Sequence, residues 1–260
     1  MNLEIAGKVV LITGGSHGIG AATALEFARE GCQVAICARD KEKIDRTIKA
    51  VQSLGVKALG ISADVLHPDA AKTVISEIIN KFGSIDILVN NVGGGGRWGG
   101  KNILDTEERV WQEVFQKNAM AAIQFTRKAL PYMIRQKWGR VVTVASIYGR
   151  EGGGKPWFNL AKSAEISFMK TMAMDPEFVQ KNITFNSVAP GAIMIAGTGW
   201  AEEKDKNPKE FDAYLKEHFP QGRMGTPEEV ASVIVFICSK SASYLNGACI
   251  PVDGGESKSF

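Results

Sequence analysis

The sequence predicts an α/β protein on a doubly wound parallel sheet, three layers deep with about seven strands. Three observations carry this. Short apolar runs of strand length recur along the chain, amphipathic helical segments separate them, and the first run ends in a turn of glycines that opens a helix.

Residues 9–12, Val-Val-Leu-Ile, have the unbroken apolarity of a strand buried on both faces. Thr13-Gly14-Gly15-Ser16-His17-Gly18-Ile19-Gly20 ends it. Ala24, Leu25, Phe27 and Ala28 then keep helical spacing as far as Gly31, a C-cap before the strand run at 34–37. Further strands are expected at 58–61, 85–89, 141–144, 183–188 and 248–252. Helices are expected over 42–54, 68–81, 106–136, 157–180 and 227–239. Asp105-Thr106 before Glu107-Glu108, and Thr226-Pro227-Glu228-Glu229, are start signals. With no repeat or linker to divide it, the chain reads as a single domain over 1–260.

Two regions break the pattern. Residues 93–100 hold six glycines around Arg97 and Trp98, just past a strand's carboxyl end. Residues 192–222, rich in Lys, Glu and Gly with Trp200 and Phe211, form the longest insertion and read as a substrate loop or lid.

Glycines in the first turn have a physical use: a diphosphate reaches the free N–H groups of a helix start only where no side chain intervenes. The composition excludes other classes. Of the 260 residues 45% are hydrophobic and 23% charged, and the net charge of +3 is interspersed, so no nucleic-acid stripe forms. Cys32, Cys37, Cys238 and Cys249 have no metal or C-x-x-C spacing and read as reduced thiols; no metal is expected. No apolar stretch approaches membrane-spanning length, and the expected place is the cytoplasm.

The turn, of the form Thr-Gly-x-x-x-Gly-Ile-Gly, resembles that of the short-chain dehydrogenase/reductase family, and matches in order extend the resemblance along nearly the whole chain. They are Asn90-Asn91-Val92-Gly93, Asn118, Ser146, Lys162, Asn186-Ser187-Val188-Ala189-Pro190-Gly191, the run from Gly222 to Ala231, and Val252-Asp253-Gly254-Gly255. The chain looks like the short form typified by 3-oxoacyl-carrier-protein reductases. That implies a Rossmann fold, a nicotinamide cofactor, a small carbonyl or alcohol substrate and a homotetramer or homodimer. Pairing would use the helices near 106–136 and 157–180, and Phe168, Met169, Met172 and Met174 read as an apolar excess for such a contact.

By the same resemblance Gly14, Ser16, His17, Gly18, Ile19, Gly20, Arg39, Asp64, Val65, Asn91, Gly93, Pro190, Gly191 and Ile193 would hold the cofactor. In a doubly wound sheet the residue ending the second strand meets the adenosine ribose. Ala38 stands there, followed by Arg39, and His17 offers a further donor, so NADP(H) is preferred to NAD(H). The alternative turns Asp40 to the ribose and stacks Arg39 on adenine. Ile195 stands where many members have a threonine, and Thr198 comes later.

The resemblance also implies that Asn118 holds a relay water, that Ser146 binds the substrate oxygen, and that Lys162 contacts the ribose and lowers the pKa of a tyrosine. That tyrosine falls on Phe158, whose ring has no proton to give. Positioned acids supply about 10²–10⁴ in rate. Three readings follow: NADP-linked carbonyl/alcohol chemistry with Tyr148, Lys162 or a water on Ser146 as the acid; a nucleotide-binding relative that has lost the reaction; or an engineered Tyr→Phe variant of a ketoreductase. Trp98, Tyr148, Trp157, Met194 and Trp200 are expected around the reacting carbon, with Arg97, Arg150 or Lys155 beside them.

Overall fold

Alternate residues of the central strands face opposite helical layers in the computed structural model, which describes residues 2–259. In chain order the first half is β1 (Val9–Thr13), α1 (Gly18–Arg29), β2 (Gln33–Ala38), α2 (Lys41–Gln52), β3 (Ala58–Ser62) and α3 (Ala70–Phe82). The second half is β4 (Ile87–Asn90), α4 (Glu108–Phe115), a π turn at Gln116–Met120, α5 (Ala121–Gln136), β5 (Gly139–Val144), a 3₁₀ turn at Ile147–Gly149, α6 (Pro156–Met172) and α7 (Pro176–Val179). β6 (Ile183–Pro190), α8 (Gly199–Lys206), α9 (Pro208–His218), α10 (Pro227–Ile237) and β7 (Cys249–Val252) complete it.

The strands form a seven-stranded sheet in the order β3-β2-β1-β4-β5-β6-β7, every pair parallel. Val10, Ile12, Val34 and Ile36 face Phe27, Ile44 and Ile234 of α1, α2 and α10. Their neighbours Val9, Leu11, Ala35 and Cys37 face Val74, Phe125 and Met169 of α3, α5 and α6. Both faces are covered, so the strands lack polar alternation, and each large aliphatic buried this way contributes about 1.5–3 kcal/mol. The chain reverses direction across the sheet between β1 and β4, and a crevice opens at the carboxyl ends of these strands.

Three sequence expectations are corrected. The helix expected over 106–136 is α4 and α5 joined by the π turn, because Asn118 is buried and bonds to backbone inside the helix. The helix expected over 157–180 stops at Met172 and restarts at Asp175-Pro176, where the carboxylate caps Glu177 N–H and proline takes the first helical position. Residues 192–222 are largely helical, in α8 and α9. Phe211, Leu215, Phe219 and Met224 form their own small core there, with Ala192, Met194 and Trp200 packed on it.

The apolar residues read at 168–174 divide between core and surface. Met169 is buried, Phe168 and Met172 pack on the same core, and Met174 is exposed. Cys32, Cys37 and Cys238 are buried free thiols, and burial pushes Cys32 and Cys37 up to about 12. No helix among the described residues is long and apolar enough to cross a membrane.

Candidate active site

The glycine turn is built by two close approaches. Gly14 has φ +66°, a conformation that side chains resist, and a Cβ on Gly20 would stand 2.3 Å from the Gly14 carbonyl oxygen. Asn91, just past β4, locks the turn: its Nδ2 donates to the carbonyls of Thr13 (2.9 Å) and Gly14 (3.1 Å). The start of α1 therefore points into the crevice. Its N-cap, His17, makes no side-chain capping bond and its first turn holds no acid, leaving backbone N–H groups for an anion. This cradle fits the diphosphate of a dinucleotide.

His17, Gly18, Ile19, Asn91, Gly93, Ser146, Tyr148, Phe158, Lys162, Pro190, Gly191 and Ile193 line one cleft of about 490 Å³. Gly14 and Gly20 form the turn behind it. Arg39, Asp64, Val65 and Ser16 lie outside this lining, past the carboxyl ends of β2, β3 and β1. The Ser16 backbone carbonyl accepts the Thr47 hydroxyl, and Asp64 Oδ1 accepts the Leu66 N–H at 3.0 Å. Asp40 is committed elsewhere: it caps α2, accepting the Lys43 N–H at 3.1 Å. His17, expected to face a phosphate, instead has its Nε2 2.9 Å from the Ala196 carbonyl oxygen of the inserted segment.

At the reacting end, Ser146 follows β5 and its Oγ accepts the Tyr148 N–H at 3.2 Å, which leaves the hydroxyl proton free to donate. Asn118 is wholly buried. Its Nδ2 donates to Val114 (2.7 Å) and Gly94 (2.9 Å) carbonyls, and its Oδ1 accepts the Gly94 N–H at 3.0 Å. The amide thus ties the π turn to the glycine-rich loop. Gly93 stands between Asn118 and Lys162: a Cβ there would lie 2.7 Å from Asn118 Oδ1 and 2.9 Å from Lys162 Nζ.

Lys162 is buried on α6. β5 outruns β4 by one residue, and the Val144 carbonyl left past the pairing accepts Lys162 Nζ at 2.9 Å. Nζ also lies 3.0 Å from Glu165 Oε2, and 5.8 Å from the centre of the Phe158 ring. Glu165 went unnoticed in the sequence, although its spacing of three from Lys162 on one helix was the signal. Burial raises its carboxyl to about 7, against the pull of Lys162. Tyr148 is raised too, by burial and then by the charges of Glu256, Tyr214 and Glu151.

The expected aromatic ring of residues is partly corrected. Tyr148 and Trp200 line the cleft, and Met194 packs beside Trp200. Trp157 does not: it is 1% exposed, packs edge-on against Trp111 and donates to the Gly95 carbonyl. Trp98 lies outside the lining with Lys117 over its ring. Arg97 pairs with Glu203 at 3.1 Å and covers Trp200, and Lys155 donates to the Gly100 carbonyl. Glu256, unforeseen, lines the cleft with its Oε2 accepting the Ala192 N–H at 2.6 Å.

A family model of short-chain dehydrogenases, described as enoyl-(acyl carrier protein) reductase, matches residues 14–257. The chain is a short-chain dehydrogenase/reductase. This is a family of NAD(P)-dependent oxidoreductases, and curated relatives include the 3-oxoacyl-[acyl-carrier-protein] reductase FabG of Aquifex aeolicus, 36% identical over 98% of this chain and 99% of that one. The FabG of Thermotoga maritima is 36% identical over 97% and 99%. Among solved structures, L-sorbose reductase from Gluconobacter frateurii, complexed with NADPH and L-sorbose, superposes with a TM-score of 0.90 at 32% identity, covering all of both chains. A 7α-hydroxysteroid dehydrogenase complexed with NADH and a 7-oxo bile acid superposes with a TM-score of 0.88 at 27% identity, over 99% of this chain and 97% of that one.

Proposed function

We propose that this short-chain dehydrogenase/reductase interconverts a carbonyl group and a secondary alcohol, prefers NADP(H), and uses Lys162 where its relatives are expected to use a phenol. The observation that carries the reading is the convergence of Ser146, Lys162 and the glycine cradle on one cleft, with Phe158 over the ammonium. When bound, the reduced nicotinamide supplies the hydride for the carbonyl carbon. The start of α1 and Asn91 hold the cofactor's diphosphate end, and Pro190, Gly191 and Ile193 border its other end. Ser146 donates to the substrate oxygen and orients it. Lys162 then provides the proton.

Tyr148 is the weaker candidate for that proton. Burial, and then the nearby charges of Glu256, Tyr214 and Glu151, push its phenol up rather than down, opposite to what a useful acid needs. Its place is the wall of the substrate end, with Trp200 and Glu256. A carboxylate there disfavours an anionic group close to the carbonyl and accepts hydrogen bonds from a hydroxylated substrate, which supports a neutral ketose or similar polyol.

The preference for NADP(H) rests on Arg39. It is exposed past β2, and Asp40, the residue that would otherwise select a free ribose hydroxyl, is occupied as a helix cap. A homodimer or homotetramer in the cytoplasm, without nucleic acid or membrane, completes the proposal. Ile103, Leu104 and Leu160 near the starts of α4 and α6 are the exposed apolar residues available for that contact.

The deciding experiment combines binding and turnover. NADPH fluorescence should be quenched by the protein, more tightly than NADH, and Phe158→Tyr should raise ketose-dependent NADPH oxidation by about tenfold or more. Binding without turnover in either form would leave a nucleotide-binding relative that has lost the reaction. No binding at all would sink the reading entirely.

A further inference from the structure

Lys162 has a buried partner for which carbonyl reduction as described has no use. Glu165 lies three residues on along α6, is 1% exposed, and holds its Oε2 3.0 Å from Nζ. An ammonium has three protons to donate: one goes to the Val144 carbonyl, one to Glu165, and the third is left for the cleft that Lys162 lines. Packing does not call for an acid here, since Ala161 and Met169 on the same helix are buried and apolar. A buried ion pair is no more stabilising than an apolar pair of the same volume.

We infer that Glu165 is a positioning residue that orients Lys162 and returns to it the proton it gives to the substrate oxygen. The inference rests on Lys162 being the donor, as proposed above. The step balances: the hydride that a bound cofactor would supply reduces the carbonyl carbon, an O–H bond forms as a Lys162 N–H bond breaks, and the amine so formed accepts the Glu165 proton across the 3.0 Å between Oε2 and Nζ. The pair falls from a net charge of +1 to 0 and regains its proton from solvent. With Glu165 ionised, proton donation would leave a neutral amine beside a carboxylate. With both groups protonated on the acid side of neutrality, the same donation leaves a neutral pair.

Burial supports this by raising the Glu165 carboxyl from 4.5 to about 7. The charges that face the pair come from the π turn: Lys117 interacts with Lys162, and Arg39 and Asp64 act on Lys117 with opposite signs. β5 and β6 present uncharged side chains at this end of the sheet, and the 3₁₀ turn presents Tyr148.

The test uses the intact protein with Glu165→Gln and Glu165→Asp. Cofactor-free protein should show an infrared band of a protonated buried carboxyl that titrates near neutrality and is missing from Glu165→Gln. In turnover, kcat for reduction should fall as pH rises through that titration. Glu165→Gln should lower kcat by about tenfold and abolish the inflection while KM for NADPH and ketose changes less than about threefold, and Glu165→Asp should restore part of both. A wild-type pH profile in Glu165→Gln, or no titrating band in the wild type, overturns the inference. If Glu165→Gln does not fold, the wild-type band decides by its presence or absence, with Glu165→Asp shifting it. Absence of ketose-dependent NADPH oxidation at every pH would overturn the Lys162 reading and this inference with it, whereas turnover without the inflection overturns Glu165's role alone.

Discussion

A phenyl ring, an ammonium and a carboxyl, at Phe158, Lys162 and Glu165, meet at the scale of single residues. Phe158 contributes a ring face to the ammonium but no proton, and in the proposed reaction the acid is the pair on α6. That pair also leaves a mark on stability. Glu165 is raised in the folded chain, so between about 4.5 and about 7 the fold keeps a proton that the unfolded chain releases. Its contribution is therefore full below that window and is lost as pH rises through it. The melting temperature of wild type minus that of Glu165→Gln should decline across the window. A difference that stays flat with pH would mean that Glu165 does not hold its proton. The lysine and the phenylalanine were legible as a motif in the sequence. The acid was not, because an i, i+3 charge pair on a helix is ordinarily solvent-exposed and only packing reveals burial.

At the scale of elements, the π turn joins α4 to the glycine-rich loop through one side chain. Asn118 donates to the Val114 carbonyl and holds both backbone groups of Gly94. Asn118→Ala would leave these buried groups unpaired, at a cost of about 1–3 kcal/mol. A denaturant midpoint equal to wild type would count against this bridging role. The sequence flagged Asn118 as a polar interruption on an apolar face but predicted a regular helix through it, since a π turn has no distinctive spacing. The lid helices were missed for a different reason. α8 buries none of its residues, so it leaves no apolar period to read, and α9 relies on Phe211 and Leu215 against a core of its own.

At the scale of the whole molecule, the inserted segment and the sheet body meet around the cleft. Arg97 reaches Glu203 and Trp200, and His17 meets Ala196, so the inserted segment rests on the first glycine turn and on the glycine-rich loop. Cofactor in that crevice should stabilise the entire fold. At a hundredfold excess over Kd, NADPH is expected to add about 2.7 kcal/mol, or roughly 5–10 °C in melting temperature for a chain of this size. An unchanged melting temperature would speak against binding there. Assembly is tested at the same scale: gel filtration should give a mass of two or four chains, and a mass near one chain would contradict the expected contact through Leu160 and its neighbours.

Sequence alone determined the sheet, because a parallel strand covered on both faces must be apolar throughout and each glycine-led turn must admit a backbone. It also determined the cradle for a dinucleotide and the absence of a phenol at Phe158, since these depend on which side chains exist at fixed spacings. Tertiary structure decided the rest. It withdrew Trp157 from the cleft into a core, committed Asp40 to a helix cap, brought Glu256 to the wall of the cleft, and buried Glu165 against Lys162. The physical reason is common to all four. Whether a side chain reaches water, a backbone group or a neighbouring charge depends on which distant segment packs over it, and local periodicity carries no record of that.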